Sequence, residues 1–289
     1  MAILQTVSLP ILRQRNIKLT VKRDDQLHPI VSGNKAFKLK YNLEAALQEQ
    51  ADTLVTFGGA YSNHLHATAY AAFQCGLKSV GVIRGEQVLP LNPTLRDCVN
   101  WGMTLHPVSR KHYLEKSSNA FLKQFRELYP RAFIIPEGGA GELGVRGAEE
   151  ILAGITLEDF DYIVAACGTG TTLAGLIRAS EGKAKVIGVP VLKNAMWMFD
   201  EVRRWLLKSK SGEQWDLWLD YHFGGYAKRT DTLSRFRRLI FEQMSLPLDE
   251  IYTAKAFFAV LDQIEHGFFE EGARILFCHT GGLQGMREQ

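Results

Sequence analysis

Thr53-Leu54-Val55-Thr56-Phe57-Gly58-Gly59 is a short apolar run, rich in β-branched residues, that stops on two glycines. It reads as a buried strand followed by a tight turn. The next segment, Ser62 to Gln74, is rich in Ala, Leu and His and stops before Gly76, as a capped helix does. Ser79-Val80-Gly81-Val82-Ile83 is a second apolar strand. Two strands apolar on both faces, joined by a helix, make a parallel β-α-β unit.

On either side of this unit the alternation continues. Pro93, after Asn92, stands at a first-turn position that proline tolerates and opens a helix. Thr104–Val108 and Ala132–Ile135 read as strands with a helix from Tyr113 to Leu128 between them. Further on, Glu142–Leu152, Thr171–Ala179, Ala195–Lys208, Leu233–Met244 and Ala254–His266 read as helices. Tyr162–Ala166, Val186–Val191 and Arg274–Cys278 read as strands. The fold class is α/β, with two parallel-sheet domains and an active-site cleft between them. Residues 41–135 form the smaller domain, and residues 1–40 plus 136–289 the larger one. No Ser/Pro-rich linker separates them, so strand ends should line the cleft, where α/β proteins bind ligands.

A length of 289 residues gives roughly two domains as a prior. At 46% hydrophobic and 22% charged, the chain can bury enough apolar surface to fold, which excludes a disordered protein. A formal charge of +3 gives no electrostatic case for a nucleic-acid or anionic-membrane partner. Cys75, Cys98, Cys167 and Cys278 are far apart and form no CxxC pair, so they read as reduced, buried thiols of a cytoplasmic protein. The first residues lack a signal peptide's basic start and apolar stretch, and no run approaches the ~20 apolar residues of a membrane span. Arg203–Lys210 and the set Arg235, Arg237, Arg238 read as solvated helix faces, and Trp215, Trp218, Tyr221 and Phe223 as core or interface.

Chemistry concentrates in three segments. Gly168-Thr169-Gly170-Thr171-Thr172 follows a strand and opens a helix, so backbone N–H groups, threonine hydroxyls and the helix dipole converge on one anion-sized spot. An ordinary strand–helix turn is the alternative. A dinucleotide fingerprint would need glycine where Leu173 stands. Ser32-Gly33-Asn34-Lys35 precedes the apolar-periodic stretch Phe37, Leu39, Tyr41, Leu43. A lysine at a helix start sits in a positive field that lowers its pKa, as an amine nucleophile requires, although a lone lysine is ordinarily a surface residue. Gly58-Gly59-Ala60-Tyr61-Ser62-Asn63 presents a hydroxyl and an amide at a helix start, where the bland role is an N-cap. His64 and His66 are two apart and lie on different helix faces, which argues against a shared metal.

Together these segments resemble the tryptophan-synthase-β type (fold type II) of pyridoxal-phosphate enzyme. More narrowly they resemble the 1-aminocyclopropane-1-carboxylate deaminase and D-cysteine desulfhydrase family. The resemblance runs from Lys22-Arg23-Asp24-Asp25 through Pro136-Glu137-Gly138-Gly139, Tyr226 and Tyr252-Thr253-Ala254-Lys255 to His279-Thr280-Gly281-Gly282. It implies pyridoxal 5'-phosphate as cofactor, held by the larger domain. Lys35 matches the lysine that carries it covalently, Lys38 a lysine near its phosphate, and Asn63 the residue bonding its ring hydroxyl. Gly168, Thr169, Gly170, Thr171 and Thr172 match the phosphate loop. Ser62, Tyr226 and Tyr252 match polar groups around the substrate, and Lys35, Ser62, Tyr226 and Tyr252 are the candidate catalytic set. The implied partner is a small amino acid, and the implied assembly a homodimer.

The resemblance also points to a reaction. Deaminases of the family carry Glu at the position of Thr253 and Leu at that of Thr280, and desulfhydrases carry small hydroxyl residues at both. A carboxylate beside the pyridine nitrogen deepens the electron sink that ring opening of a cyclopropane requires. Thr253 and Thr280 therefore favour β-elimination of a good leaving group: D-cysteine to pyruvate, ammonia and sulfide. The deaminase is the alternative, and a non-catalytic pyridoxal-phosphate-binding protein the second. Ala60-Tyr61 replaces the Ile-Gln common before the serine, a change that would reshape the substrate carboxylate pocket.

Overall fold

Two sheets, each with its strands' C-terminal ends turned to a common cavity, organise the computed structural model, which describes residues 2–86, 89–207 and 214–287. The chain begins with β1 (Leu4–Thr6), α1 (Pro10–Gln14), β2 (Lys18–Lys22) and α2 (Asn34–Gln48). The opening β-α-β reading then appears as β3 (Thr53–Gly58), α3 (Asn63–Gln74) and β4 (Lys78–Arg84). After it come α4 (Pro93–Asn100), β5 (Met103–Val108), α5 (Arg110–Tyr113), α6 (Asn119–Leu128) and β6 (Ala132–Ile135). The remainder is α7 (Glu142–Glu149), β7 (Tyr162–Cys167), α8 (Thr171–Ser180), β8 (Lys185–Pro190), α9 (Trp197–Leu206), β9 (Trp215–Leu217), α10 (Asp231–Met244), α11 (Thr253–Glu265) and β10 (Arg274–Cys278).

The smaller sheet runs β5-β4-β3-β6 and is parallel throughout. Its order reverses between β3 and β6. The larger sheet runs β1-β2-β10-β7-β8-β9 and reverses between β10 and β7. Ligands bind at such switch points because diverging connections leave a crevice beyond the strand ends. Gly59 and Pro136–Gly139 follow the two strands at the first reversal, and Gly168–Gly170 and His279–Gly282 those at the second.

Strand periodicity sends side chains alternately to two faces, and both faces are covered. On one side of the larger sheet Val164, Ile187, Ile275 and Phe277 pack with Leu233, Phe257 and Val260 of α10 and α11. On the other, Ile163, Val186 and Leu276 pack with Val145, Leu176 and Met198 of α7, α8 and α9. Phe57, Val80 and Val82 of the smaller sheet meet Phe121 and Phe125 of α6. Helix α2, which carries Lys35 and Lys38, lies against α7. A Cβ at Gly147 would come within 2.1 Å of the Phe37 carbonyl oxygen, so only glycine allows this approach.

Several expectations are corrected. The helix expected from Tyr113 to Leu128 is broken: α5 ends at Tyr113, and Ser118 starts α6 by accepting a hydrogen bond from the Phe121 N–H. The helix expected to reach Leu152 ends at Glu149 and tightens into a 3₁₀ turn over Glu150–Leu152. Strand β1 pairs antiparallel with β2, so one edge of the larger sheet is not parallel. Cys98, Cys167 and Cys278 are buried, but Cys75 is exposed. Arg237 is half-buried and ion-paired with Glu250 at 3.4 Å, unlike exposed Arg235 and Arg238. Lys208 to Lys210, the end of the expected charged stretch, lie outside the described residues. Trp218, Tyr221 and Phe223 pack with the α10–α11 core, and Trp215 with the opposite one.

Candidate active site

A cavity of about 380 Å³ lies at the two switch points. Of the residues singled out from sequence, Lys35, Lys38, Ser62, Asn63, Gly168, Thr169, Gly170, Thr172, Tyr226, Tyr252 and Thr280 line it. Thr171 and Thr253 do not. The Thr171 hydroxyl is buried and bonds that of Thr169 at 3.0 Å, which steadies a cavity-lining threonine from behind.

Lys35 is fixed by its neighbours. Gly33 has φ +61°, and a Cβ there would come 2.1 Å from the Thr280 carbonyl oxygen. That same oxygen accepts from the Asn34 N–H at 3.2 Å, which ties the start of α2 to the segment after β10. The Lys35 ammonium donates to Asn34 Oδ1 at 2.7 Å, and Asn34 Nδ2 donates to Thr172 Oγ1 at 2.9 Å. Amine, amide and Gly/Thr loop are thus one hydrogen-bonded chain. Removal from water brings the Lys35 pKa down to about 8, against a smaller upward pull from Asp249. Burial therefore does the work that sequence reasoning gave to the helix start.

Lys38 is buried, and desolvation with the Lys35 charge holds its pKa well below the usual lysine value. A buried lysine on the wall of a cavity that also holds a helix N-terminus invites an anion, which would favour its charged form. The Gly/Thr loop supplies that N-terminus. Gly170 has φ +77°, and a Cβ on it would meet Val202 at 3.2 Å, so glycine here serves the turn and the packing of α9.

Ser62 has both of its expected roles: its hydroxyl caps α3, accepting from the Leu65 N–H at 3.3 Å, and it lines the cavity. Tyr252 and Tyr226 stand edge to face, ring centroids 6.0 Å apart. Burial foremost, with Tyr226 and Asp249 adding, keeps the Tyr252 pKa well above the usual phenol value, so its hydroxyl holds its proton at neutral pH.

His64 and His66 are hydrogen-bonded helix residues, as the sequence suggests, but four features around the cavity carry more than the sequence assigned them. His64 is buried on the cavity wall, its Nε2 2.8 Å from Thr56 Oγ1. Thr56 already donates its proton to the Ile135 carbonyl, so Nε2 must carry the hydrogen. Burial, then the charges of Lys35 and Lys38, keep the ring neutral. Its Nδ1 is a buried acceptor without a partner among the described residues. His66, in turn, bonds Asp97 at 3.0 Å. Asp249 is buried, and its four acceptor positions are filled by the N–H groups of Ile251, Tyr252 and Thr253 and the Thr253 hydroxyl, at 2.8–2.9 Å. The Lys255 ammonium, fully buried, donates to the carbonyls of His222 and Gly225 at 2.9 and 2.8 Å and so holds the turn preceding Tyr226. Arg84 and Glu137 put charge on the smaller sheet's side of the cavity. In sequence, Arg84 is a lone polar residue at a strand end and Asp249 one in a loop.

Residues 4–281 match the model of the pyridoxal-phosphate dependent enzyme family. The chain belongs to this family. Among its relatives, a protein of Pyrococcus furiosus provisionally named 1-aminocyclopropane-1-carboxylate deaminase is 34% identical, over 92% of this chain and 84% of that protein. A mitochondrial bifunctional D-cysteine desulfhydrase/1-aminocyclopropane-1-carboxylate deaminase of Arabidopsis thaliana is 31% identical, over 94% of this chain and 74% of that protein. The crystal structure of a 1-aminocyclopropane-1-carboxylate deaminase homologue superposes with a TM-score of 0.85 at 31% identity, covering 99% of this chain and 90% of that one. This pyridoxal-phosphate enzyme therefore has the fold-type-II architecture that its sequence resembles.

The residues present fit the cofactor. A buried lysine without an ion-pair partner among the described residues and a helix N-terminus with two cavity-lining threonines suit a phosphate, and a second lysine with a lowered pKa suits a carbonyl. Among the described residues, no helix is long and apolar enough to cross a membrane.

Proposed function

We propose that this pyridoxal-phosphate enzyme is a lyase catalysing β-elimination on a D-amino acid, with D-cysteine giving pyruvate, ammonia and sulfide. The supporting observation is the polar chemistry around Thr280. Thr280 lines the cavity there, while Asp249, whose Oδ1 lies 3.1 Å from where a Cβ on Gly282 would stand, is buried with all four acceptor positions filled. A carboxylate so engaged is not free to hold a proton on a ring nitrogen, and a threonine hydroxyl does so weakly.

When bound, the cofactor supplies the electron sink for the reaction. The rest falls to side chains. Thr169, Thr172 and Lys38 hold the phosphate, and Asn63 orients the ring. Lys35, its pKa lowered to about 8, gives up its proton more easily than an ordinary lysine and takes the Cα proton. Ser62, at the start of α3, orients the substrate carboxylate. Tyr252, kept protonated, gives a proton to the departing sulfur. In this reading residues 1–40 and 136–289 form the cofactor-binding domain and 41–135 the smaller one, with α2 running across the boundary.

The deaminase names of the relatives favour a second reading, ring opening of 1-aminocyclopropane-1-carboxylate. One assay separates the two. D-Cysteine, β-chloro-D-alanine and 1-aminocyclopropane-1-carboxylate are compared for wild type and for Thr253→Glu with Thr280→Leu. The proposal expects sulfide or chloride and pyruvate from the first two and negligible ammonia from the third. Wild-type ring opening at rates comparable to elimination would establish the deaminase instead.

A further inference from the structure

Charge on the cavity wall is not balanced by the groups assigned so far. Lys35, Lys38, Arg84 and Lys116 line it as basic side chains and Glu137 as the one carboxylate among the described residues. Lys35 and Lys38 face the cofactor in the reading above, on which this inference rests. Lys116 is matched by Glu137, its ammonium 3.3 Å from one carboxylate oxygen, while the other accepts from the Tyr113 hydroxyl at 2.8 Å. Arg84 is left over. Among the described residues no carboxylate pairs with it.

The geometry limits where that guanidinium lies. Arg84 ends β4, and its Cζ is 5.9 Å from the centre of the Tyr113 ring. Its Nη2 lies 3.6 Å from where a Cβ on Gly59 would stand, so it runs beside the Gly58-Gly59 turn that leads to Ser62. A planar fork of donors held against a ring, open to the cavity, is suited to a carboxylate or another anion.

We propose that Arg84 forms an anion subsite for the β-substituent of the amino-acid substrate, and that the enzyme acts on alanines whose β-substituent carries, or departs with, negative charge. The α-carboxylate is taken by the start of α3, so the charge Arg84 meets is a second one. In elimination the Cβ–X bond breaks with its electron pair going to X, and the Cα proton goes to Lys35. Water then converts the remaining three-carbon unit to pyruvate and ammonia. A guanidinium beside X stabilises the charge as it develops.

The test is a binding comparison on holoenzyme. D-Aspartate, whose β-carboxylate stands in for X, and D-alanine, which lacks it, are titrated against the visible absorbance of the bound cofactor. Wild type is expected to bind D-aspartate about tenfold more tightly, the size of one charge-assisted pair. In Arg84→Gln that ratio is expected to fall to about one, with Arg84→Lys between. A wild-type ratio near one overturns the subsite. So does a ratio that Arg84→Gln leaves intact, the result if Arg84 held the α-carboxylate that both ligands share. Absence of the visible band before any titration would instead overturn the cofactor-site reading, and a band retained in Arg84→Gln shows that the variant has folded.

Discussion

At Lys35 desolvation outweighs attraction. Burial lowers its pKa from 10.5 to about 8 although Asp249 pulls it up. Between about pH 8 and 10 the unfolded chain therefore binds more protons at this lysine than the folded one. With the folded pKa depressed, stability rises with pH across that window. Cofactor-free protein should gain melting temperature from pH 8 to pH 10, and Lys35→Met should gain less. Equal gains would remove Lys35 as the source. The identity of this lysine was legible because glycine, asparagine and lysine at a helix start form a local pattern. The cause of its lowered pKa was not, because burial depends on segments far away in sequence. Arg84 and Asp249 were illegible for the same reason: nothing near Val82-Ile83-Arg84-Gly85 or Leu248-Asp249-Glu250 reveals which charges the fold brings to them.

Among elements, α7 sets the position of α2 and so of both lysines. Gly147 allows the contact, and a Cβ there would overlap the Phe37 carbonyl. Gly147→Ala should push α2 away, destabilise the protein by about 1–3 kcal/mol as overpacking does, and weaken cofactor binding. Urea unfolding and a cofactor titration measure the two effects. Unchanged stability would mean that α2 and α7 can part without cost. Elements with strong periodicity were read correctly, and those set by tertiary pairing were missed. Lys18-Leu19-Thr20-Val21-Lys22 looks like surface, yet β2 sits inside the larger sheet with Lys22 buried against Asp24. Trp215–Leu217 is too short to announce β9. The break between α5 and α6 was written in Ser117-Ser118, but the apolar positions on either side concealed it.

Across the whole molecule, each sheet reverses its strand order once beside the cavity, and Ser62, Asn63, Glu137, Gly138, Gly168, Thr169, Gly170, Thr280 and Gly281 follow the strands at the two reversals and line it. Lys35, at the point where the two reversals meet, is the lysine expected to carry pyridoxal phosphate. Borohydride reduction of the purified holoenzyme, followed by proteolysis and mass mapping, tests it directly. A phosphopyridoxyl group on the peptide containing Lys35, absent from Lys35→Ala, is the predicted result. Its appearance on Lys38, or on no lysine of the cavity, would remove Lys35 from that role.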